Sequence, residues 1–405
     1  GQGGFVGYSQ AFGSGNITNL MTTGTSYLTV AGTNTLAAGT TTTAMLRIGG
    51  AFQSDLAFTN ANDVLNLELG GLLRSNDAQA TTIGTTALPG TLTVGGVATI
   101  DTLTSGAANL NGTTSSVATL NGGTIVLGTT ALTVSAGTFG GSVSGATGSL
   151  IKSSAGVLTL TGANTYGAGT TLAAGTLLVG DDAALGTGTL TLDAGEFASI
   201  GSVARSFAND LALGGSVTLG DATNDGALSF GGTVSLGGAM RTVATVADVT
   251  FAGIVSGTNG GLTKDGAGTL TLSAANTFTG GFTLNTGTVF AGTNTSFGTG
   301  TVTLNAGVIS AVGSSARTFA NAVVLGGDLT FGATGNLGAL SFGALSVGSS
   351  ARTLTTVAET AFTGAFSGSG DLTKDGAGTL TLSGASTFSG AVTLSSGSII
   401  TVGHN

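Results

Sequence analysis

A stretch of twelve residues occurs twice without change and limits what the chain can fold into. LTKDGAGTLTLS occupies residues 262–273 and returns at 372–383, and a looser copy, LIKSSAGVLTLT, occupies residues 150–161. The three copies begin 112 and 110 positions apart, and no linker separates them. Tandem copies of this kind predict a repeat architecture in which each unit packs mainly against its neighbours.

The repeat divides the chain into five predicted regions. Two of the three tyrosines and two of the three methionines lie in the first 85 residues, where the repeat is not recognisable. Terminal parts of repeat proteins are usually atypical, so this region is predicted to be a cap or a docking element. The predicted regions are the cap or docking region 1–85, degenerate coils 86–149, repeat units 150–261 and 262–371, and a truncated third unit 372–405.

Inside each unit, apolar residues alternate with threonine over three to five positions. The segments 269–272 (TLTL) and 301–304 (TVTL) show this period of two, which is typical of a strand with one buried face. Glycine supplies 75 of the 405 residues and penalises helices, whereas the single proline leaves nearly every backbone N–H free for a ladder. The prediction is an all-β chain, a β-solenoid (parallel β-helix) built from coils of about 20 residues grouped in repeats of about 110.

Aromatic side chains recur at fixed positions of the repeat. Phe207 and Phe319 occupy one such position, and Tyr166 and Phe278 occupy another. In a solenoid, side chains at one position point into a narrow core and stack on the neighbouring coils. The predicted core stack consists of Phe207, Phe319, Phe230, Phe342, Phe251, Phe362, Tyr166, Phe278 and Phe388.

Composition removes several classes of function. The chain has no cysteine and one histidine, His404, so it offers no ligand set for zinc and no cysteine nucleophile, and no cofactor or metal is expected. Its nine basic residues are spread along the length against a net charge of −9, which argues against a nucleic acid partner. No apolar run approaches the ~20 residues that a spanning helix needs, so no membrane insertion by this chain is predicted.

Two carboxylate sets are the candidates for an enzyme. Glycoside cleavage needs two carboxylates a few ångströms apart, and Asp181 with Asp182, or Asp193 with Glu196, are the adjacent pairs. Neither pair recurs in the next unit, and no basic residue lies beside them. They are predicted to be solvated turn residues, and the chain is predicted not to be an enzyme.

Two other recurring features have a simple interpretation. Lys152, Lys264 and Lys374 share one repeat position about five coils apart, too far to serve a single ligand, and are predicted to be exposed turn charges that keep the chain soluble. Threonine pairs such as Thr269 and Thr271 raise the hypothesis of an ice-binding face. Their spacing is irregular, however, and threonine is the favoured polar residue on exposed strands.

The segment GAGTLTLSAANTFTGGFTLNTGTVFAG, residues 266–292, resembles the autotransporter-associated β-strand repeat, and residues 156–178 resemble it more closely still. The residues that fall on that family's pattern are Gly266, Gly268, Leu270, Leu272, Asn276, Thr277, Phe278 and Gly280. The resemblance implies a secreted or surface-exposed bacterial β-helix, the passenger of a large surface protein exported through the outer membrane.

These observations support a structural function. We expect an extracellular β-solenoid of a bacterial surface, forming a rod or a segment of a fibre or surface layer. The apolar strand Ile399, Ile400, Thr401 and Val402 carries no charge and no proline, so it is predicted to associate end to end with a second copy or to continue into further repeats. The alternative is an adhesin passenger that binds a glycan or a host surface. A polysaccharide-acting enzyme and an ice-binding solenoid rank below both.

Overall fold

A computed structural model of the chain is all-β in the residues that it describes. Residues 123–403, except residue 396, are described in full. Before residue 123 only the strands are described, and their side chains only at residues 108–110, 115–117 and 120. The described backbone forms short strands joined by turns and bends, without a helix. The predicted cap or docking region and His404 lie outside the fully described residues. The chain divides into two compact units, Gly1–Leu190 and Thr191–Asn405.

The strands of the first unit are two to nine residues long. They are β1 (Asn16–Ile17), β2 (Thr25–Leu28), β3 (Gly32–Leu36), β4 (Thr40–Thr43), β5 (Met45–Ile48), β6 (Ser54–Ala57), β7 (Val64–Leu67), β8 (Leu72–Arg74), β9 (Thr91–Val94), β10 (Ala98–Leu103), β11 (Ala107–Leu110), β12 (Thr114–Leu120), β13 (Thr124–Leu127), β14 (Ala131–Phe139), β15 (Ser142–Ser144), β16 (Ser149–Lys152), β17 (Val157–Leu160), β18 (Thr170–Leu172) and β19 (Thr176–Val179), and β20 (Leu190–Leu192) starts in this unit.

Strands of the first unit stack in parallel ladders. The orders are β1-β3-β6, β2-β5-β8, β4-β7-β9-β11-β13-β15 and β10-β12-β14-β16-β18, and each described pairing within them is parallel. The long strand β14 pairs with β16 through its first half and with β17 through its second half. Thr91 pairs with Ala107, Ala107 with Thr124, and Leu150 with Thr170, so the coil grows from 16 to 20 residues along this unit.

The second unit contains strands of two to six residues. They are β21 (Glu196–Ser199), β22 (Arg205–Phe207), β23 (Leu211–Leu213), β24 (Val217–Leu219), β25 (Leu228–Phe230), β26 (Val234–Ser235), β27 (Met240–Thr245), β28 (Val249–Phe251), β29 (Val255–Ser256), β30 (Gly261–Asp265), β31 (Thr269–Leu272), β32 (Phe282–Leu284), β33 (Thr288–Ala291), β34 (Val302–Leu304), β35 (Gly307–Ala311), β36 (Arg317–Thr318), β37 (Val323–Leu325), β38 (Leu329–Phe331), β39 (Leu340–Phe342), β40 (Leu345–Ser346), β41 (Arg352–Thr356), β42 (Thr360–Phe362), β43 (Phe366–Ser367), β44 (Leu372–Asp375), β45 (Thr379–Leu382), β46 (Val392–Leu394) and β47 (Ile399–Val402).

The same stacking continues through the second unit. Its ladders run β22-β25-β28-β31-β33-β35-β38-β41-β44-β46, β23-β26-β29, β24-β27-β30-β32-β34-β37-β40-β43 and β36-β39-β42-β45-β47. Leu262, Phe282 and Val302 lie opposite one another in parallel register, 20 residues apart. A parallel β-solenoid with coils of about 20 residues is therefore confirmed.

The period of two in the sequence sets the two faces of each strand. In β31 and in β45, the leucines are buried and the threonines are half-exposed. A buried leucine contributes about 1.5 to 3 kcal/mol relative to an exposed one, and this gain recurs in every coil. Each coil covers its apolar face only with the coils before and after it, so the strands hold together as a stack.

Candidate functional site: lysine cages and an open coil

One column of the predicted core stack passes through β22, β25 and β28. Phe207 lies opposite Phe230, and Phe230 lies opposite Phe251, in the parallel register of these strands. The ring centroids are 5.5 and 5.9 Å apart, within the range of favourable aromatic pairs. All three side chains are buried.

A second column repeats this arrangement one unit later. Phe319 stacks on Phe342 at 4.8 Å, and Phe342 stacks on Phe362 at 5.7 Å between ring centroids. All three side chains are buried, as their counterparts are. Phe297, which the sequence did not place in the stack, lies 4.9 Å from both Phe282 and Phe319 and extends the column.

The remaining three predicted core residues differ in their surroundings. Tyr166 and Phe278 are buried, and burial raises the pKa of Tyr166 far above its usual value. The Tyr166 hydroxyl lies 2.5 Å from the Thr170 hydroxyl, and this hydrogen bond partly opposes that rise in pKa. Phe388 is only half-buried, although its ring stacks on Phe366 at 4.4 Å. The described coil that carries Phe388 has a neighbour on one side alone, which leaves part of this ring uncovered.

A buried asparagine joins three successive coils in the first two copies of the repeat. The Asn276 side chain accepts a hydrogen bond from the Val255 backbone at 2.7 Å and donates one to the Ser296 carbonyl at 2.7 Å. Asn164 makes the same two bonds, to Val143 at 2.7 Å and to the Ala184 carbonyl at 2.6 Å. The sequence showed Asn276 only as part of a family pattern, and its bonding role depends on residues about 20 positions away on either side.

The three recurrent lysines are not exposed turn charges, which corrects the sequence prediction. Lys152, Lys264 and Lys374 are each 0% exposed. The Lys264 ammonium donates to the carbonyls of Asp265 at 2.8 Å and Gly266 at 2.6 Å, in its own turn. It also donates to the Thr286 carbonyl of the next coil at 3.2 Å. Three donors meet three acceptors, which is the full capacity of an ammonium group. We call this arrangement a lysine cage.

The other two lysines occupy equivalent cages. Lys374 donates to the carbonyls of Asp375 at 2.7 Å and Gly376 at 2.8 Å. Lys152 donates to the Ser154 carbonyl and, in the next coil, to the Ala174 carbonyl at 3.1 Å. The cages satisfy the rule that a buried charge needs hydrogen-bonding partners. Those of Lys152 and Lys264 also tie the lysine's turn to the coil that follows.

A glycine of the next coil closes the cages of Lys152 and Lys264, at Gly175 and Gly287. At Gly287, where φ is +77°, an added Cβ would lie 2.3 Å from the Gly266 carbonyl oxygen and 2.7 Å from the Lys264 nitrogen. No side chain fits there without moving the cage. Burial lowers the pKa of Lys264 to about 8, and the neighbouring Asp265 carboxylate partly opposes that shift.

The carboxylate candidates lie in turns or bond to other coils. Asp193 is exposed, and Asp181 accepts a hydrogen bond from the Ala183 backbone in an exposed turn. Glu196 instead meets Asp221 of the following coil, and burial, this hydrogen bond and the Asp221 charge raise the pKa of Glu196. Asp221 in turn accepts bonds from the backbone and side chain of Asn224, which hold its pKa well below its usual value. Among the fully described residues, no group of three His, Cys, Asp or Glu side chains could hold a metal ion.

The predicted self-association strand is open in the structure. Strand β47 pairs with β45, and β46 pairs with β44, and each stands at the end of its ladder. Ile399 and Val402 are 54% and 68% exposed, and Ile400 is half-buried. We call residues 391–403 the open coil.

The equivalent strands one unit earlier are covered. Phe282 and Leu284 of β32 are buried beneath β34, whereas Val392 and Leu394 of β46 are 46% and 48% exposed. β33 is likewise paired with β35 on the side where β47 has no partner among the described strands. The open coil therefore exposes apolar side chains and backbone groups that the repeat elsewhere buries.

A groove crosses the outer face of β36, β39, β42 and β45. It encloses about 260 Å³ and is lined by small and polar side chains together with Arg317 and Glu359. The Nε–H of Arg317 is buried and has no hydrogen-bond partner among the described residues.

No helix in the fully described part of the chain is long and apolar enough to cross a membrane.

The comparisons with known proteins match these structural units. The family model described as Passenger-associated-transport-repeat matches residues 150–179, 262–289 and 372–400, and each of these segments contains one caged lysine. These three matches confirm the resemblance predicted from the sequence.

The similarity to a curated relative extends beyond the three matched segments. An adhesin of Brucella suis biovar 1 (strain 1330), described as "Adhesin BmaC autotransporter", is 32% identical over 252 residues. The match covers 59% of this chain and 6% of the relative, so the chain spans a small part of that protein. No solved structure matches the chain.

Proposed function

We propose that this chain is a segment of an autotransporter passenger, secreted or displayed at the surface of a bacterial cell. The observation that carries the proposal is that all three segments matched to a passenger repeat have one local structure, a pair of stacked strands with a caged lysine. The role is structural, in that the chain extends a stiff scaffold coil by coil, and no enzymatic activity is proposed.

Surface labelling of intact cells tests this proposal. An antibody raised against residues 1–405 is applied to intact and to permeabilised cells of the source bacterium. A cytoplasmic protein serves as the control for cell integrity. Equal labelling before and after permeabilisation is the expected result. Labelling that requires permeabilisation would overturn the proposal.

The second candidate function is adhesion, and two observations favour it. The relative is itself described as an adhesin. The groove over β36 to β45 offers the Arg317 guanidinium and the Glu359 carboxylate beside hydroxyl groups, a combination that suits the hydroxyl and carboxyl groups of a glycan. Arg317→Ala should abolish binding on a glycan array, while Arg205→Ala, at the equivalent position one unit earlier, should preserve it. Equal binding by both variants and the parent would remove the groove from consideration.

We further propose that the open coil is a self-association surface, as a structural polymer requires. Exposed strand edges with apolar side chains pair with similar strands. A heterologous contact of one end with the other need not close, so it produces filaments. Sedimentation velocity of the 405-residue chain should show oligomers that grow with concentration and are lost when Ile399 and Val402 are changed to Lys. A monomer at high concentration would contradict self-association.

A further inference from the structure

The groove over β36 to β45 contains two opposite charges that do not pair with each other. Arg317 is the first residue of β36, and Glu359 is the residue before β42. Arg317 and Thr360 align through Leu340 in parallel register, so two strand spacings, about 10 Å, separate the backbone segments that carry the charges. Among the described residues, no ion pair joins the two side chains.

Both charged groups keep unused hydrogen-bonding capacity. A guanidinium group has five N–H donors, of which Arg317 donates one to the Ala316 carbonyl at 3.1 Å. Glu359 is exposed, and its carboxylate accepts no hydrogen bond from a described residue. Thr318 and Ser341 lie opposite each other and line the same groove. A ligand in the groove therefore meets a cation, an anion and two hydroxyl groups.

The equivalent face one repeat earlier differs in its carboxylate. Asp248 precedes β28 as Glu359 precedes β42, and the Asp248 carboxylate accepts a hydrogen bond from the Thr269 backbone at 3.2 Å. The shorter side chain thus braces the next strand of the protein. The carboxylate of Glu359 is one methylene further from the backbone and makes no such bond within the described part of the chain. The later face therefore offers an anion that the earlier face does not.

We infer that the groove over β36 to β45 binds a zwitterionic glycan, in which neighbouring sugars carry a carboxylate and an unacetylated ammonium group. This inference rests on the proposed adhesion and assigns the class of its ligand. The carboxylate binds Arg317, and the ammonium group binds Glu359. A glycan with carboxylates alone is opposed by Glu359 and by the net charge of −9, so Glu359 is the repulsive element that determines specificity.

Two oligosaccharides that differ in one functional group test the inference. A hyaluronan hexasaccharide carries carboxylates and N-acetyl groups, and its de-N-acetylated form carries the same carboxylates with ammonium groups. Surface plasmon resonance measures the affinity of the 405-residue chain for each at low ionic strength and about pH 6, where an amine is protonated and exposed ion pairs are little screened. An exposed ion pair strengthens binding by up to about fivefold, so the de-N-acetylated form should bind about three- to fivefold more tightly.

Three variants assign this preference to the groove. Glu359→Gln should remove the preference for the de-N-acetylated form, whereas Asp248→Asn, the matched control on the earlier face, should retain it. Arg317→Gln should weaken the binding of both oligosaccharides by about tenfold. Circular dichroism verifies that each variant is folded.

Three results would overturn the inference: binding that shows no preference, a preference that survives in Glu359→Gln, or no binding of either oligosaccharide. The glycan array with Arg317→Ala does not depend on the ammonium group. A failure here with Arg317-dependent binding on the array therefore leaves the adhesion proposal standing, whereas an array without such binding contradicts adhesion itself.

Discussion

Removal of the ammonium group from one lysine cage should destabilise the solenoid while the aliphatic packing is preserved. Lys264→Met keeps an unbranched side chain of similar length but leaves the carbonyls of Asp265, Gly266 and Thr286 without their shared donor. The three acceptors are part-buried, so we take the lower end of the cost of a buried acceptor that loses its donor, about 1 kcal/mol each and about 3 kcal/mol in total. Relief of the buried charge offsets part of this loss. We expect the free energy of unfolding to fall by about 2 to 3 kcal/mol.

Urea unfolding followed by circular dichroism measures this effect on the full chain. Arg241→Met is the matched control, because it changes net charge equally at a half-exposed position on a neighbouring strand, and it should cost less than about 1 kcal/mol. Lys264→Arg should not rescue stability, because Gly287 leaves no room for a guanidinium group. Unfolding of Lys264→Met at the midpoint of Arg241→Met would refute the cage as a source of stability.

Three further predictions concern the core, the asparagine bridge and the carboxyl pair. Phe319→Asp places an unpaired charge between Phe297 and Phe342. It should lower the midpoint of thermal unfolding far more than Phe388→Asp, which changes a half-buried residue. Equal shifts of the midpoint would contradict the assignment of Phe319 to the core. Asn276→Ala should lower the free energy of unfolding in urea by about 2 to 4 kcal/mol, because it leaves the Val255 N–H and the Ser296 carbonyl unpaired. Ser386→Ala, at the equivalent exposed position, should have almost no effect on it. The raised pKa of Glu196 means that the folded state holds a proton more tightly than the unfolded state, so this group's contribution to stability is lost as pH rises through the raised pKa. Glu196→Gln should therefore raise the melting temperature more at pH 7 than at about pH 4, and an equal gain at both values would exclude this coupling.

The repeat and the alternation of residues predict the fold almost completely. Phe207 and Phe319 are identifiable as core residues because a period of two assigns a face to every residue of a short strand. The parallel register also follows, since tandem copies that stack must place equivalent residues opposite one another. Phe297 was missed because it lies in a turn, where the period of two does not apply.

The lysine cages could not be inferred from local sequence. Lys264 lies beside Asp265 and Gly266, a pattern typical of an exposed turn. Its burial depends on the Thr286 carbonyl and on Gly287, about 22 residues along the chain, and therefore on the exact length of the coil. The available signal was the recurrence of lysine at one position in a chain with only nine basic residues.

The cages also suggest how the chain resists mechanical force. If the chain is pulled from its two ends, strands are removed from the stack one after another, and each ordinary coil offers similar resistance. Lys152 and Lys264 each add a charge-assisted bond to the next coil, at two points separated by 112 positions in the sequence. Rupture should pause there, and the chain released between the pauses should measure roughly 360 to 400 Å when extended. The chain would then unfold under force in steps of one repeat rather than along its whole length at once.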